Sequence, residues 1–175
     1  MANLFPGGAE GLDLSGQYSP WTSLVLGANL NYTDAILTTP VASLNTAAGA
    51  RLPYIPRWSG SLTAQYNTQI GANWSAFGGG GYRYLGSRLS APAGEESPAG
   101  LPAGYTLGSY SLVDLRAGVS HGGLTAALYA RNVADKRAYQ APADYRYTYY
   151  VNGPIDIKAA VVQPRTIGIS IDQSF

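Results

Sequence analysis

The sequence predicts an all-β protein, an antiparallel transmembrane β-barrel segment of seven to eight strands. Three observations lead to this prediction. Apolar and polar residues alternate along several extended stretches, so the mean hydropathy is close to zero at -0.05. Charged residues make up only 12% of the 175 residues, about half of the share in an ordinary soluble domain. Short and long connections alternate between the predicted strands, as they do in outer-membrane barrels.

The first four predicted strands form two hairpins. In "GLDLSGQY", Leu12 and Leu14 share one face while Asp13 lies on the other, and "LVLGANLNYT" follows after a short turn. The third strand, "RWSGSLTAQY", begins with Arg57 on its polar side. The fourth, "WSAFGGGGYRYLG", carries Arg83 on its polar side, and its four glycines predict a close-packed or bent strand.

Three more strands complete the predicted set. "YSLVDLRAGVS" turns tightly at "HGG" into "LTAALYARNV". The chain closes on "TIGISIDQSF", in which Ile167, Ile169, Ile171 and Phe175 point one way. A soluble chain usually ends in frayed polar residues, so this ending predicts an apolar solvent on one side.

The long connections are predicted at about residues 35–56, 87–108 and 134–162, within one barrel segment covering residues 1–175. Barrels keep long loops outside the cell, which would place the C-terminus in the periplasm and the N-terminus outside. The third loop is predicted to hold a small hairpin around "YRYTYYVNG". Bacterial barrels need an even strand number, so an eighth strand or further strands are expected.

Composition excludes several classes of function. A net charge of +1 gives no electrostatic case for nucleic acid as a partner. No apolar run approaches the roughly 18 residues of a membrane helix. The absence of cysteine excludes disulfides. The first residues lack the basic and apolar regions of a secretory signal, so we expect a mature form, a recombinant piece or a segment of something longer.

Several stretches resemble the C-terminal part of a TonB-dependent outer-membrane receptor. They are "AEGLDLSGQYSPW", "LPYIPRWSGSLTAQY", "YSLVDLRAGV", "LYARNVADKRAY" and "PRTIGISIDQSF". The resemblance implies the last seven or so strands of a 22-stranded barrel in the outer membrane of a Gram-negative bacterium. It also implies a parent that imports siderophore, haem, cobalamin or glycan. No plug domain is recognised here, so we expect the isolated chain not to transport.

The resemblance also implies partners and a recognition signal. The partners are outer-membrane lipid, the barrel-insertion machinery, and the remainder of the receptor barrel with its plug, or copies of this chain. The insertion signal would comprise residues of the last strand: Gly168, Ile169, Ile171 and Phe175.

Two groups of residues are candidate functional sites. Polar-face charges would line the lumen, more often as ion pairs than as a substrate site: Asp13, Arg57, Arg83, Asp114, Arg116, Arg131 and Asp172. Aromatic residues of the third loop could contact a ligand, although packing within the loop is the commoner role: Tyr139, Tyr145, Tyr147, Tyr149 and Tyr150. Neither catalytic residues nor a cofactor or metal site are predicted, because no acid pair or nucleophile–base set stands out and His121 is the only histidine.

Two alternatives remain open at this stage. The chain could itself be a structural unit that associates edge to edge into an oligomer or filament, or closes as a small eight-stranded barrel through residues near Met1 or "YRYTYYV". A soluble β-sandwich binding module is the weaker alternative.

Overall fold

The computed structural model describes residues 7–92, 106–142 and 159–174. Seven strands form one antiparallel sheet, and each of them after the first pairs with the one that precedes it along the chain among these seven. The strands of this sheet are β1 (Gly7–Trp21), β2 (Leu24–Leu37), β3 (Trp58–Gln69), β4 (Trp74–Leu85), β7 (Tyr110–His121), β8 (Leu124–Arg131) and β11 (Thr166–Gln173).

Two small hairpins lie in the long connections. The connection from β4 to β7 contains β5 (Arg88–Leu89) paired with β6 (Thr106–Leu107). The connection from β8 to β11 contains β9 (Tyr139–Pro142) paired with β10 (Ala159–Val161). The connection from β2 to β3 contains a 3-10 helix, Ala42–Leu44.

The seven strands and their alternating connections confirm the predicted all-β antiparallel fold. Short turns join β1 to β2, β3 to β4 and β7 to β8, whereas about twenty or more residues join the other neighbours. Antiparallel order puts all short turns at one end of the sheet and all long connections at the other. In the two-residue turn between β7 and β8, Gly122 and Gly123 have φ of 54° and 83°, as a type I′ hairpin turn requires.

Strand bounds differ from the pattern in the first hairpin. β1 begins at Gly7 and β2 continues to Leu37, so both strands extend beyond the predicted alternation. Glu10 pairs with Asp34 in this extension. These polar residues interrupt the apolar–polar alternation, so the sequence pattern did not predict a strand there. The predicted hairpin at "YRYTYYVNG" lies outside the described residues, between β9 and β10.

The sheet does not close within the described residues. β1 pairs only with β2, and β11 pairs only with β8. Each of these two strands therefore has one free hydrogen-bonding edge. The segments considered for an eighth strand, near Met1 and at "YRYTYYV", lie outside the described ranges.

One face of the sheet is apolar. Cross-strand register aligns Leu14 with Leu30, Leu30 with Gly60, and Leu128 with Ile169 on this face. The side chains here are exposed: Ile167, Ile169 and Ile171 are 72%, 69% and 71% accessible. At the paired positions of the register, Asp, Glu, Lys and Arg are absent from this face except at its long-loop end, where Glu10 pairs with Asp34 one step beyond the Leu12–Tyr32 pair.

Buried residues lie mainly at the long-loop end rather than within the sheet. Leu37, Leu107 and Val162 are 1–2% exposed and come from the three long connections or their borders. Polar residues are buried with them, notably Arg88 and Asn132. The compact core of this segment is therefore made by the loops.

Within the described residues, none of the helical segments is both long and apolar enough to cross a membrane.

Candidate functional site at the charged face and the loop end of the sheet

The face opposite the apolar one carries six of the seven charges singled out in the sequence. Register aligns Asp13 with Asn31, Ser61 with Arg83, and Arg116 with Tyr129 on this face. By the two-residue period of a strand, Asp114, Arg131 and Asp172 share the face; Asp114 pairs with Gly81 and Asp172 with Thr125. The sheet therefore separates charge from apolar surface strand by strand.

Asp114 links two strands and a loop. Its Oδ2 lies 3.5 Å from Nη2 of Arg83 on β4. Its Oδ1 accepts the backbone N–H of Asn132, just beyond β8, at 2.8 Å. A carboxylate that receives both a cation and an N–H donor positions the start of the third long loop over the charged face.

Two arginines on this face lie over aromatic rings. The Arg116 guanidinium lies 5.2 Å from the Phe77 ring centre, and that of Arg131 lies 5.3 Å from the Tyr129 ring centre. Ion-pair partners within 4 Å are absent for both among the described residues. Cation–π contacts orient such side chains but leave most of their charge available.

Arg57 belongs to the loop end rather than to the strand interior. It precedes β3, and its Nη2 lies 3.3 Å from Oδ1 of Asp34 near the top of β2. Both side chains are more than a third exposed, so this ion pair contributes little to stability. Asp13 accepts a hydrogen bond from Asn31 across the first hairpin.

Asn132 is a buried polar residue that sequence reasoning missed. It is 3% exposed, and its Nδ2 donates to the carbonyls of Lys136 at 3.0 Å and Gln163 at 2.8 Å. Its Oδ1 accepts the N–H of Lys136 at 2.8 Å. Asn132 thereby joins the start of the third loop to the strand that returns from it. We call Asn132 and Asp135 the loop clamp.

Asp135 forms the second half of the loop clamp. Its Oδ1 accepts the backbone N–H of Arg165 at 2.9 Å, and its Oδ2 lies 3.1 Å from Nη2 of Arg137. The Arg165 N–H, followed by the Arg137 guanidinium, lowers the pKa of Asp135 below its ordinary value of 3.8. Asn132 and Asp135 have φ of 49° and 48°, a conformation that Asn and Asp tolerate better than most residues. The spacing N-x-x-D in "RNVADKRAY" is the sequence feature that could have indicated the loop clamp.

The hairpin β5–β6 connects all three long loops. The Tyr54 N–H, in the first loop, donates to the Leu89 carbonyl at 2.8 Å. Nη2 of Arg88 donates to the carbonyl of Gln140 at 2.7 Å and lies 3.4 Å from that of Tyr139, both on β9. Sequence reasoning missed Arg88, because the loop around it is rich in Pro, Gly and Ser and predicts no packed structure.

Of the predicted ligand-contacting aromatics, Tyr139 is the one that the structure describes. It is 62% exposed at the start of β9. Tyr145, Tyr147, Tyr149 and Tyr150 lie outside the described residues. Their role as ligand contacts stays a prediction.

The residues of the predicted insertion signal lie on both faces of β11. Ile169 and Ile171 pair with Leu128 and Ala126 on the apolar face. Gly168 lies on the charged face beneath the Tyr129 ring, which occupies the space that a side chain at Gly168 would need. This packing explains why position 168 is a glycine. Phe175 lies outside the described residues.

An open hollow lies on the apolar face of the sheet. It has a volume of about 840 Å³ and lies over the glycine run Gly78–Gly81, bordered by Tyr66, Tyr82 and Leu115. Its lining offers almost no polar groups, so it lacks the fixed donors and acceptors of a specific site. Among the described residues, no cluster of His, Cys, Asp or Glu could hold a metal ion.

The sheet matches a known family of membrane proteins. The family model "TonB dependent receptor-like, beta-barrel" matches residues 7–133. The chain belongs to this family. Members are Gram-negative outer-membrane transport receptors with a plug inside the barrel, and they are not enzymes.

Solved structures show the same fold. The ferric-catecholate import receptor Fiu from Escherichia coli K12 matches with a TM-score of 0.68 and 21% identity over 97% of this chain and 21% of its own. The ferric yersiniabactin uptake receptor FyuA from Yersinia pestis matches with a TM-score of 0.70 and 18% identity, over 97% of this chain and 24% of its own. The ferripyoverdine receptor of Pseudomonas aeruginosa matches with a TM-score of 0.69 and 19% identity, over 97% of this chain and 20% of its own. This receptor chain thus spans about a fifth of those structures. No curated protein matches it.

We predict that the loop clamp contributes measurably to folding. Replacing Asn132 with Ala removes three part-buried hydrogen bonds and leaves the carbonyls of Lys136 and Gln163 without this donor, which costs about 1–3 kcal/mol. Asn132→Gly removes the same bonds but tolerates the positive φ, so it should recover about 1 kcal/mol of that loss. Urea unfolding of the chain in lipid bilayers measures both variants. Equal stability of both variants and the wild type would contradict the clamp.

Proposed function

We propose that this chain is a segment of the barrel wall of an outer-membrane importer, with its apolar face in the hydrocarbon and its charged face toward a water-filled lumen. The observation that carries the proposal is the separation of the two faces across seven strands. Charge on the lipid side costs about 2–4 kcal/mol per Lys or Arg at the bilayer centre. Apart from the Glu10–Asp34 pair at the long-loop end, the register puts every paired Asp, Glu, Lys and Arg of the seven strands on the other face.

The aromatic residues support the same position in the membrane. Tyr18, Trp21, Tyr66 and Trp74 lie toward the short-turn end of the apolar face, and Trp58 lies at the opposite end. Trp58 packs on Tyr32 with ring centres 4.8 Å apart. Amphipathic rings favour the two membrane interfaces. Two aromatic rows therefore mark the boundaries of the hydrocarbon in the proposed arrangement.

The long loops face the outside of the cell in this proposal, and the short turns face the periplasm. Ala48, in the first long loop, and Ala72, in the short turn between β3 and β4, are both exposed. The chain has no cysteine. A single Ala→Cys change at either position therefore gives a unique chemical handle in the intact protein.

We predict that a membrane-impermeant maleimide labels Ala48→Cys on intact bacteria and labels Ala72→Cys only after the outer membrane is opened. Both variants carry the same change on exposed loop backbone, so each controls for the other. Mass spectrometry of the isolated protein measures the labelled fraction. Labelling of Ala72→Cys alone on intact cells, or of neither variant until lysis, would contradict the proposed orientation or location.

The free edges of β1 and β11 take the remaining barrel strands in this proposal. An unsatisfied backbone group in lipid costs several kcal/mol, so both edges need partners. This chain spans about a fifth of the length of the matched receptors, and in this proposal the partner strands come from the rest of such a receptor. In this proposal the signal read by the insertion machinery comprises Gly168, Ile169 and Ile171 of β11 together with Phe175. Edge-to-edge pairing of copies of this chain is the alternative.

The cargo in this proposal is a ferric chelate. The similar structures named above import or bind ferric catecholate, ferric yersiniabactin and ferripyoverdine. The exposed Tyr139 ring in the third loop offers a flat surface of the kind on which a chelate can stack. Transport belongs to the complete receptor, in which the barrel and plug act together.

We predict that bacteria depleted of the receptor lose uptake of radioactive iron presented as a ferric siderophore. Uptake of iron as a weak citrate complex serves as the control for general iron entry. A panel of catecholate, hydroxamate and phenolate chelates identifies the accepted class. Unchanged uptake of every ferric chelate, with loss of cobalamin or glycan uptake instead, would contradict the proposed cargo while leaving the barrel assignment intact.

A further inference from the structure

Arg88 is a buried cation without a carboxylate partner among the residues that the structure describes. Its exposure is 4%, and an arginine side chain remains charged at any physiological pH. The ion pairs of the described residues join Arg57 to Asp34, Arg83 to Asp114 and Arg137 to Asp135, and none includes Arg88. Buried charges in proteins are normally paired. Within residues 7–92, 106–142 and 159–174, the charge of Arg88 therefore has no paired negative charge to offset the cost of its burial.

The hydrogen bonds of Arg88 are also incomplete. Nη2 donates to the Gln140 carbonyl at 2.7 Å and lies 3.4 Å from that of Tyr139. The guanidinium carbon lies 5.8 Å from the centre of the Tyr110 ring. Nη1 is enclosed and has no hydrogen-bond partner, the one such buried side-chain atom in the described part of the chain. One donor nitrogen of a full positive charge is thus available for a further acceptor.

We propose that Arg88 binds a small oxyanion, a carboxylate or phosphate, through Nη1 at the junction of the second and third long loops. An anionic oxygen there supplies both the missing charge and the missing acceptor. A neutral acceptor would satisfy the unpaired Nη1 donor but would not supply the missing negative charge. The guanidinium is well suited to this role because its planar donors match the geometry of carboxylate and phosphate.

The position of Arg88 links anion binding to loop packing. Arg88 lies on β5, which also accepts a hydrogen bond from the Tyr54 N–H through Leu89, while its own Nη2 holds β9. Nη1 is enclosed where β5 meets β9, so the proposal requires these two strands to separate for the anion to enter. A bound oxyanion therefore stabilises the closed arrangement of the loops. This inference concerns the loops alone and does not depend on which cargo is imported.

Titration with inorganic phosphate tests the proposal. The intact chain is folded in detergent, ionic strength is held constant with sodium chloride, and the Nε–H resonance of Arg88 is followed by NMR. That resonance is assigned by its absence in Arg88→Lys. We expect a saturable shift and a rise in the unfolding temperature of the wild type. Acetate should give the same response, because the recognised chemistry is shared.

Matched variants decide whether the response belongs to Arg88. Arg88→Gln should weaken phosphate binding at least tenfold, whereas Arg57→Gln, which alters an exposed ion-paired arginine, should leave it unchanged. If Arg88→Gln does not fold, Arg88→Lys keeps the charge and should still bind less tightly than the wild type. No saturable movement of the wild-type resonance, as when a carboxylate of this chain already pairs with Nη1, overturns the proposal. An equal thermal response in Arg88→Gln overturns it as well.

Discussion

Backbone hydrogen bonding in an apolar solvent is the constraint on which the rest of this structure depends. A strand in hydrocarbon can satisfy its N–H and C=O groups only through neighbouring strands. In the seven-stranded sheet, every interior strand forms backbone hydrogen bonds with a strand on each side. Neighbours in the sheet are also consecutive along the chain among these seven strands. Once the backbone is paired in this way, the side chains of each strand must divide between two solvents. The alternation of the sequence follows from that division.

The strands and their two faces could be predicted from the sequence because a two-residue period is a local property. Leu12, Asp13 and Leu14 already show which residues share a face. The bounds were less predictable where polarity continued along a paired strand, as at Glu10 and Asp34 in the first hairpin. There the cross-strand hydrogen bonds, rather than side-chain patterning, define the strand.

The loop end could not be predicted in the same way, because its packing joins residues far apart in the chain. Asn132 contacts Gln163 across 31 residues, and Arg88 contacts Gln140 across 52. No periodic pattern records such contacts. The left-handed conformation of Asn132 and Asp135 leaves only a weak local trace, the choice of Asn and Asp. The buried core of the segment therefore lies where the sequence is least regular.

The most direct test of the two-solvent account is spin labelling along β3, with single cysteines replacing Leu62, Thr63, Ala64 and Gln65 in a protein that has none of its own. These four positions are exposed on a strand paired on both sides. In bilayers, labels at residues 62 and 64 should be accessible to oxygen, which dissolves in the hydrocarbon. Labels at residues 63 and 65 should be accessible to a water-soluble nickel complex. Equal accessibility at all four positions, or labels at residues 62 and 64 shielded from both reagents as in a packed core, would contradict the account.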